Sequence, residues 1–163
     1  MRTFKNTIIP KEYRGSAIAI GNFDGVHRGH QKVFRQAKKY AKKNKIKFGV
    51  LTFTPLPVMF FNRNIKNCRL VSENKKFQLF EKYGVDFVIN IKFNKIFSKI
   101  TAVKFIKNII FKKINPRLIF VSNNFKFGNK RKGNVRLLKK FSKKYDYRLV
   151  TTMAFKHKGK VVS

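Results

Sequence analysis

Apolar positions along this chain alternate between short solid runs and helical stripes. Ser16 to Ile20 is small and apolar throughout, the pattern of a strand buried on both faces. From Gln31 to Asn44, Val33, Phe34, Ala37, Tyr40 and Ala41 recur at spacings of three and four with lysines and arginines between them, which predicts an amphipathic helix. Ile46 to Phe53 is rich in β-branched and aromatic residues and reads as a second strand, ending at Thr54-Pro55-Leu56-Pro57. Ser72 is a candidate N-cap for a helix carrying Phe77, Leu79, Phe80 and Tyr83, which Gly84 stops, and Val85 to Ile91 is the third strand.

The same alternation continues. Thr101 to Lys113 is a helix with Thr101 as N-cap and Val103, Phe105, Ile106, Ile109 and Ile110 facing inward, and Pro116 to Val121 is the fourth strand. Val135 to Tyr145 is a basic amphipathic helix, and Tyr147 to Phe155 a fifth strand. Met1 to Arg14 is polar, with Pro10 unable to donate to a central ladder, so it reads as an approach segment or an edge strand. Strands separated by helices build right-handed crossovers. The expected fold is α/β: a Rossmann-like, doubly wound, mostly parallel five-stranded sheet with helices on both faces.

The richest stretch lies where the first strand gives way to the first helix: Gly21-Asn22-Phe23-Asp24-Gly25-Val26-His27-Arg28-Gly29-His30. In an open α/β sheet that junction offers unpaired N–H groups and a positive dipole end to an anion. Glycine tolerates positive φ and close ligand approach. His27 and His30, two of three histidines, share a helix face if the helix has begun by His27, and their imidazoles could reach one phosphate. A Gly-rich loop with solvated or capping histidines is the plainer alternative.

Gly21 to Gln31 closely resembles the opening signature of bacterial FAD synthetases, the FMN adenylyltransferase module of bifunctional riboflavin kinase/FAD synthetases. That family belongs to the nucleotidyltransferases with a His-x-Gly-His signature, which here is His27-Arg28-Gly29-His30. The resemblance extends to the end of the second strand, where the family's Thr-Phe-x-Pro-His-Pro has Leu56 at the histidine position. Val58 to Leu70, with Phe60, Phe61 and Arg63, resembles the family's loop over the flavin; the alternative is a loop tucking aromatics into the core. After the fourth strand, Ser122 to Asn134 resembles Val-Gly-x-Asp/Asn-Phe-x-Phe-Gly followed by a basic turn, with Asn124 at the acid-or-amide position and Ser122 replacing a glycine.

The resemblance implies AMP transfer from ATP to FMN, giving FAD and pyrophosphate, with Mg²⁺ carried on ATP. Gly21, Asn22, Phe23, Asp24, Gly25, His27, Gly29, His30 and Asn124 would bind ATP, with His27, His30 and Asn124 the catalytic set. Phe60, Phe61, Phe127 and Arg131 would hold the flavin, and no side chain would ligate a metal directly. Asp24 would orient a Mg²⁺-bound water or His27, or else stabilise the loop through an Asx turn. The chain stops at Val-Ser, where the family continues through Ser-Thr-Arg-Ile-Arg, so residues 1–163 are expected to be an adenylyltransferase module without that motif or the kinase module.

Composition narrows the setting. Forty Lys+Arg against six Asp+Glu give a formal charge of +34, a field that draws polyanions. The basic residues are spread through nearly every segment, and enrichment in Asn, Ile and Phe points to AT-rich codons, so a solvated background is favoured over a specific nucleic-acid surface. One cysteine, Cys68, allows no internal disulfide. No apolar run is long enough to cross a membrane and no signal-peptide core appears, so a cytoplasmic location is expected. The competing readings are a sister nucleotidyltransferase acting on another phosphate ester and a basic nucleic-acid-binding module.

Overall fold

The computed structural model describes residues 1–62 and 69–153, together with the backbone of 155–157 and 160–162. Its strands are β1 (Arg2–Phe4), β2 (Ala17–Ile20), β3 (Phe48–Thr54), β4 (Phe87–Lys92), β5 (Leu118–Ser122), β6 (Lys126–Phe127), β7 (Gly133–Asn134), β8 (Arg148–Thr152), β9 (Phe155–His157) and β10 (Lys160–Val162). The helices are α1 (Arg28–Lys43), α2 (Pro57–Phe61), α3 (Glu73–Lys82), α4 (Lys95–Ser98), α5 (Ala102–Lys104) and α6 (Val135–Lys144). Among the described residues no helix is long and apolar enough to cross a membrane.

The main sheet has six strands in the order β1-β4-β3-β2-β5-β8, all parallel. The expected five gain a sixth because Arg2–Phe4 pairs with Phe87–Ile89 at one edge. Pro10 lies beyond that short strand, so its missing N–H removes no ladder bond. From β2 the chain winds outward through β3 to β4, then returns to the other side of β2 at β5 and continues to β8. The direction of winding therefore reverses between β2 and β5, the point at which open α/β sheets bind ligands.

Period-two alternation in β2 distributes its side chains between two cores. Ala17 and Ala19 face α1 and α3, where Phe34, Phe48 and Phe80 are fully buried. Ile18 and Ile20 face the other side, with Ile106, Ile110 and Leu138. Small residues under α1 let Phe34 fill the layer; its ring meets Phe48 at 5.7 Å and Phe80 at 5.5 Å. In β3, Gly49 stands opposite Phe87, and a Cβ there would lie 2.3 Å from the phenyl ring.

The predicted caps Ser72 and Thr101 hold, each accepting a bond from the backbone N–H three residues on, and Asn134 does the same for α6. Two helical predictions change. The first helix begins at Arg28, three residues before the expected Gln31. After α5 the helix widens into π-type turns over Phe105–Ile114, closed by the Asn115 N–H donating to the Ile110 carbonyl at 2.7 Å. Val103, expected inward, is 46% exposed, and Ala102 is buried in its place.

Candidate functional site

The loop between β2 and α1 is wound tightly by residues in the left-handed region. Phe23 has φ 51°, Gly25 φ 67° and Val26 φ 41°. Glycine adopts this readily, but for Phe and β-branched Val it costs on the order of 1–3 kcal/mol each and persists only where surroundings enforce it. Three tethers do so. The Thr52 hydroxyl donates to the Asn22 carbonyl at 3.0 Å, the Leu70 N–H to Asp24 Oδ2 at 2.8 Å, and the Gln31 amide to the Val26 carbonyl at 2.9 Å. Asp24, buried at 9% exposure, thus fastens the loop to the chain before α3 by a long-range bond, in place of an Asx turn.

His27 is the N-cap residue of α1, with its carbonyl accepting the Gln31 N–H at 3.0 Å, and His30 lies in the first turn. Their rings stack at 3.6 Å between centroids. Phe23, expected to bind ATP, sends its side chain into the core at 4% exposure and sets its ring edge-on against His30 at 5.0 Å. What it can offer a ligand is its backbone. Burial, with the His27 ring adding to it, pushes the His30 pKa down to about 3. His30 is therefore a neutral imidazole at physiological pH. Among the described residues its buried Nδ1 has no hydrogen-bond partner.

Strands β2 and β5 are direct neighbours, Ala19 opposite Phe120, so the loops leaving their C-terminal ends share one edge of the sheet. Ser122 to Phe125 forms a turn closed by the Phe125 N–H on the Ser122 carbonyl at 3.0 Å, with Asn124 exposed at its tip. The topology thus brings the histidine loop and the Asn124 turn to the two sides of the β2/β5 reversal.

The residues expected at the flavin fall differently. Phe127 is 7% exposed, with its ring stacked on Phe125 at 5.4 Å and tilted against Phe105 at 5.3 Å. Gly133 leaves room for it, since a Cβ there would come within 2.7 Å of the Phe127 ring. Phe127 is a core residue here, and the half-buried ring of this turn belongs to Phe125. Arg131 is exposed, with φ 56°, in the short 3-10 turn between β6 and β7. Phe61 is 64% exposed and, with half-buried Phe60, packs on Phe93 at 5.8 and 5.4 Å. From Phe93 the rings continue through Phe97 and Phe105 to Phe127. Both aromatic segments therefore belong to one chain of phenyl contacts, whose linking members carried no motif. Arg63 and Cys68 lie outside the described residues.

Leu56 is buried at 6% exposure and lines a cleft of about 220 Å³, part of it open solvent, with Asp24, Thr54, Arg69, Glu73 and Lys76. An apolar side chain stands where the resemblance would put an imidazole. Lys76, which no motif in the sequence singles out, is buried to 5% exposure beneath the histidine loop. Its Nζ lies 3.2 Å from Thr52 Oγ1 and 3.5 Å from the Asn22 carbonyl. Burial pulls its pKa down to about 8 against the pull of Glu73 and Asp24, with Arg69 adding to the lowering.

Comparison with known proteins bears on this arrangement. A family model described as FAD synthetase matches residues 9–163. A bifunctional riboflavin kinase/FMN adenylyltransferase of Buchnera aphidicola subsp. Schizaphis graminum is 39% identical over 146 residues, covering 90% of this chain and 47% of that protein. The protein of the same description from Escherichia coli K12 is 31% identical over 149 residues, covering 91% and 48%. The chain spans about half the length of the curated relatives it matches. Among solved structures, a protein described as a macrolide-efflux protein from Streptococcus pneumoniae superposes with TM-score 0.79 at 23% identity, covering 99% of this chain and 52% of that one. A pantoate-beta-alanine ligase from Francisella tularensis gives 0.59 at 13% identity, covering 97% and 69%. These two likenesses concern the fold.

Proposed function

Because this chain belongs to the FAD synthetase family, we propose that it is an adenylyl-transfer domain that joins ATP and FMN into FAD and releases pyrophosphate. The observation that carries the reading is the strained loop Phe23–Val26, delivered to the N-terminus of α1 beside a stacked imidazole pair. Successive residues of this kind form concave arrays of N–H donors, and a helix N-terminus adds a positive dipole end.

The reaction needs no side-chain nucleophile. An FMN phosphate oxygen attacks the α-phosphorus of ATP in line, the new P–O bond forms as the bond to the β-phosphate bridging oxygen breaks, and pyrophosphate leaves with the electron pair. The protein's part is positioning and charge stabilisation. Loop N–H groups, the His27 imidazole and the neutral imidazole of His30 would hydrogen-bond the triphosphate. Gly21, Gly25 and Gly29 would let the nucleotide lie against the backbone, and the Asn124 amide would bind ribose or phosphate from the β5 side. The loop's donors suit phosphate oxygens, whereas Mg²⁺ takes oxygen ligands; Asp24 is the loop's carboxylate. Mg²⁺ would accordingly come bound to ATP and neutralise charge there. Phe60, Phe61 and the rim ring Phe125 would border the flavin, with Phe127 supporting Phe125 from below and Arg131 near the flavin phosphate. The proposed setting is the cytoplasm.

Purified chain supplied with ATP, Mg²⁺ and FMN tests this by FAD formation and pyrophosphate release, with binding of a non-hydrolysable ATP analogue measured in parallel. In protein that turns over, His30→Ala is expected to lower the rate at least tenfold, a threshold set below the roughly hundredfold to thousandfold (about 2.7–4 kcal/mol) typical of a lost donor at developing charge. Turnover within twofold of the parent would reject the role given to His30. A chain that binds neither nucleotide nor FMN would reject the function.

A further inference from the structure

Lys76 is an unusual place for a lysine. It sits in the second turn of α3, four residues before fully buried Phe80, so helical spacing turns both toward the sheet. Its neighbour Lys75 is exposed. The Lys76 ammonium lies 5.9 Å from the ring centres of Phe77 and Phe80, and among the described residues it has no carboxylate within 4.0 Å. A buried cation without an ion-pair partner lowers stability relative to an apolar side chain of similar volume. Its presence therefore calls for a reason other than the fold.

The hydrogen bonds supply one. Lys76 Nζ donates to Thr52 Oγ1, and the Thr52 hydroxyl donates onward to the Asn22 carbonyl, which also faces Nζ directly. In a trans peptide the carbonyl and the following N–H point in opposite directions. Holding the Asn22 carbonyl inward thus turns the Phe23 N–H outward, at the start of the left-handed loop. A donor chain anchored on a cation is polarised along its length.

Resting on the adenylyl-transfer reading, we propose that Lys76 is a positioning residue of the nucleotide loop: through Thr52 and the Asn22 carbonyl it fixes the Asn22–Phe23 peptide for the triphosphate and places a buried positive charge beneath it. Asp24 from the loop, Glu73 from α3 and Arg69 from the segment before it are the charged groups facing the ammonium. Loss of the Lys76 proton near pH 8 removes the charge while the triphosphate keeps its own, so nucleotide affinity falls as pH rises through that value.

The test is Lys76→Met in the full chain, with a non-hydrolysable ATP analogue titrated by calorimetry, FMN titrated by fluorescence, and Tm measured at pH 7. The expected result is at least tenfold weaker analogue binding, FMN affinity within twofold of the parent, and a Tm equal to or above the parent's. From pH 7.5 to 9 the parent's analogue affinity falls and that of Lys76→Met does not. Analogue affinity within twofold of the parent, or equal losses for both ligands with a lowered Tm, overturns the assignment and leaves Lys76 a packing residue. If Lys76→Met does not fold, Thr52→Val carries the test: at least threefold weaker analogue binding with unchanged FMN affinity supports the proposal, and unchanged analogue affinity overturns it. A parent chain that binds no analogue overturns the nucleotide reading and this proposal with it, whereas a null result confined to the variants overturns this proposal alone.

Discussion

Lowering the pH from 7.5 to 5 should weaken this fold by about 2 kcal/mol through His30 alone. In the folded chain its imidazole resists protonation down to about pH 3, mainly because burial against Phe23 and the first turn of α1 desolvates the cation and secondly because His27 stacks on it. The unfolded chain takes up that proton near pH 6.5. Between the two values the unfolded state binds more protons, so stability falls by about 1.4 kcal/mol for each unit of pH below 6.5. Above 6.5 the contribution is flat, and below about 3 it is fully lost. Urea denaturation at pH 7.5, 6 and 5 measures it, with His30→Leu as the comparison. Acid also raises the net charge from an already high +34, but both chains share that repulsion, so the signal is the change in the stability gap between them. The gap should shift by about 2 kcal/mol in favour of His30→Leu between pH 7.5 and 5. A gap constant to within about 0.5 kcal/mol, the usual limit of additivity, would refute a buried neutral His30.

Gly49→Ala should destabilise the sheet by roughly 1–3 kcal/mol or more, since the added methyl meets the Phe87 ring at 2.3 Å and overpacking of this kind cannot relax cheaply; thermal melting measures it. Gly25→Ala should weaken nucleotide binding more than it lowers Tm, because φ 67° and a 3.0 Å approach to Leu70 Cδ1 strain the loop locally, at about 1–2 kcal/mol for the left-handed backbone. Binding to RNA, if measured by filter retention, should be strong at low salt, indifferent to sequence and lost at moderate salt, as expected of diffuse charge; a sequence preference that survives salt would point to a dedicated nucleic-acid surface.

The architecture was legible because its signals are local. Solid apolar strands, three and four spacing, and the N-caps Ser72 and Thr101 each act within a few residues, and the structure bears them out. The sixth strand was legible only as one of two readings of Met1 to Arg14, since Arg2–Phe4 is three residues long and is held by pairing with residues more than eighty positions away. The loop from Gly21 to His30 was visible as a glycine-rich strand-to-helix junction, but its tethers were not: Thr52, Leu70 and Lys76 reach it across 30, 46 and 54 residues. Lys76 was masked by abundance, one basic residue among forty. Its spacing to Phe80 was the available signal, a lysine on the apolar face of a helix. Phe127 shows the opposite case, where a motif position suggested a ligand contact and packing between Phe105 and Phe125 put the ring in the core.

The most direct test of the account is a crystal structure of this chain with a non-hydrolysable ATP analogue and Mg²⁺. It should show the triphosphate on the backbone N–H groups between Phe23 and His27, with the imidazoles of His27 and His30 in hydrogen-bonding reach and Asn124 on the opposite side of the β2/β5 reversal. A nucleotide bound elsewhere, for instance with its phosphates on the exposed Lys130–Lys132 turn and none touching the histidine loop, would contradict it.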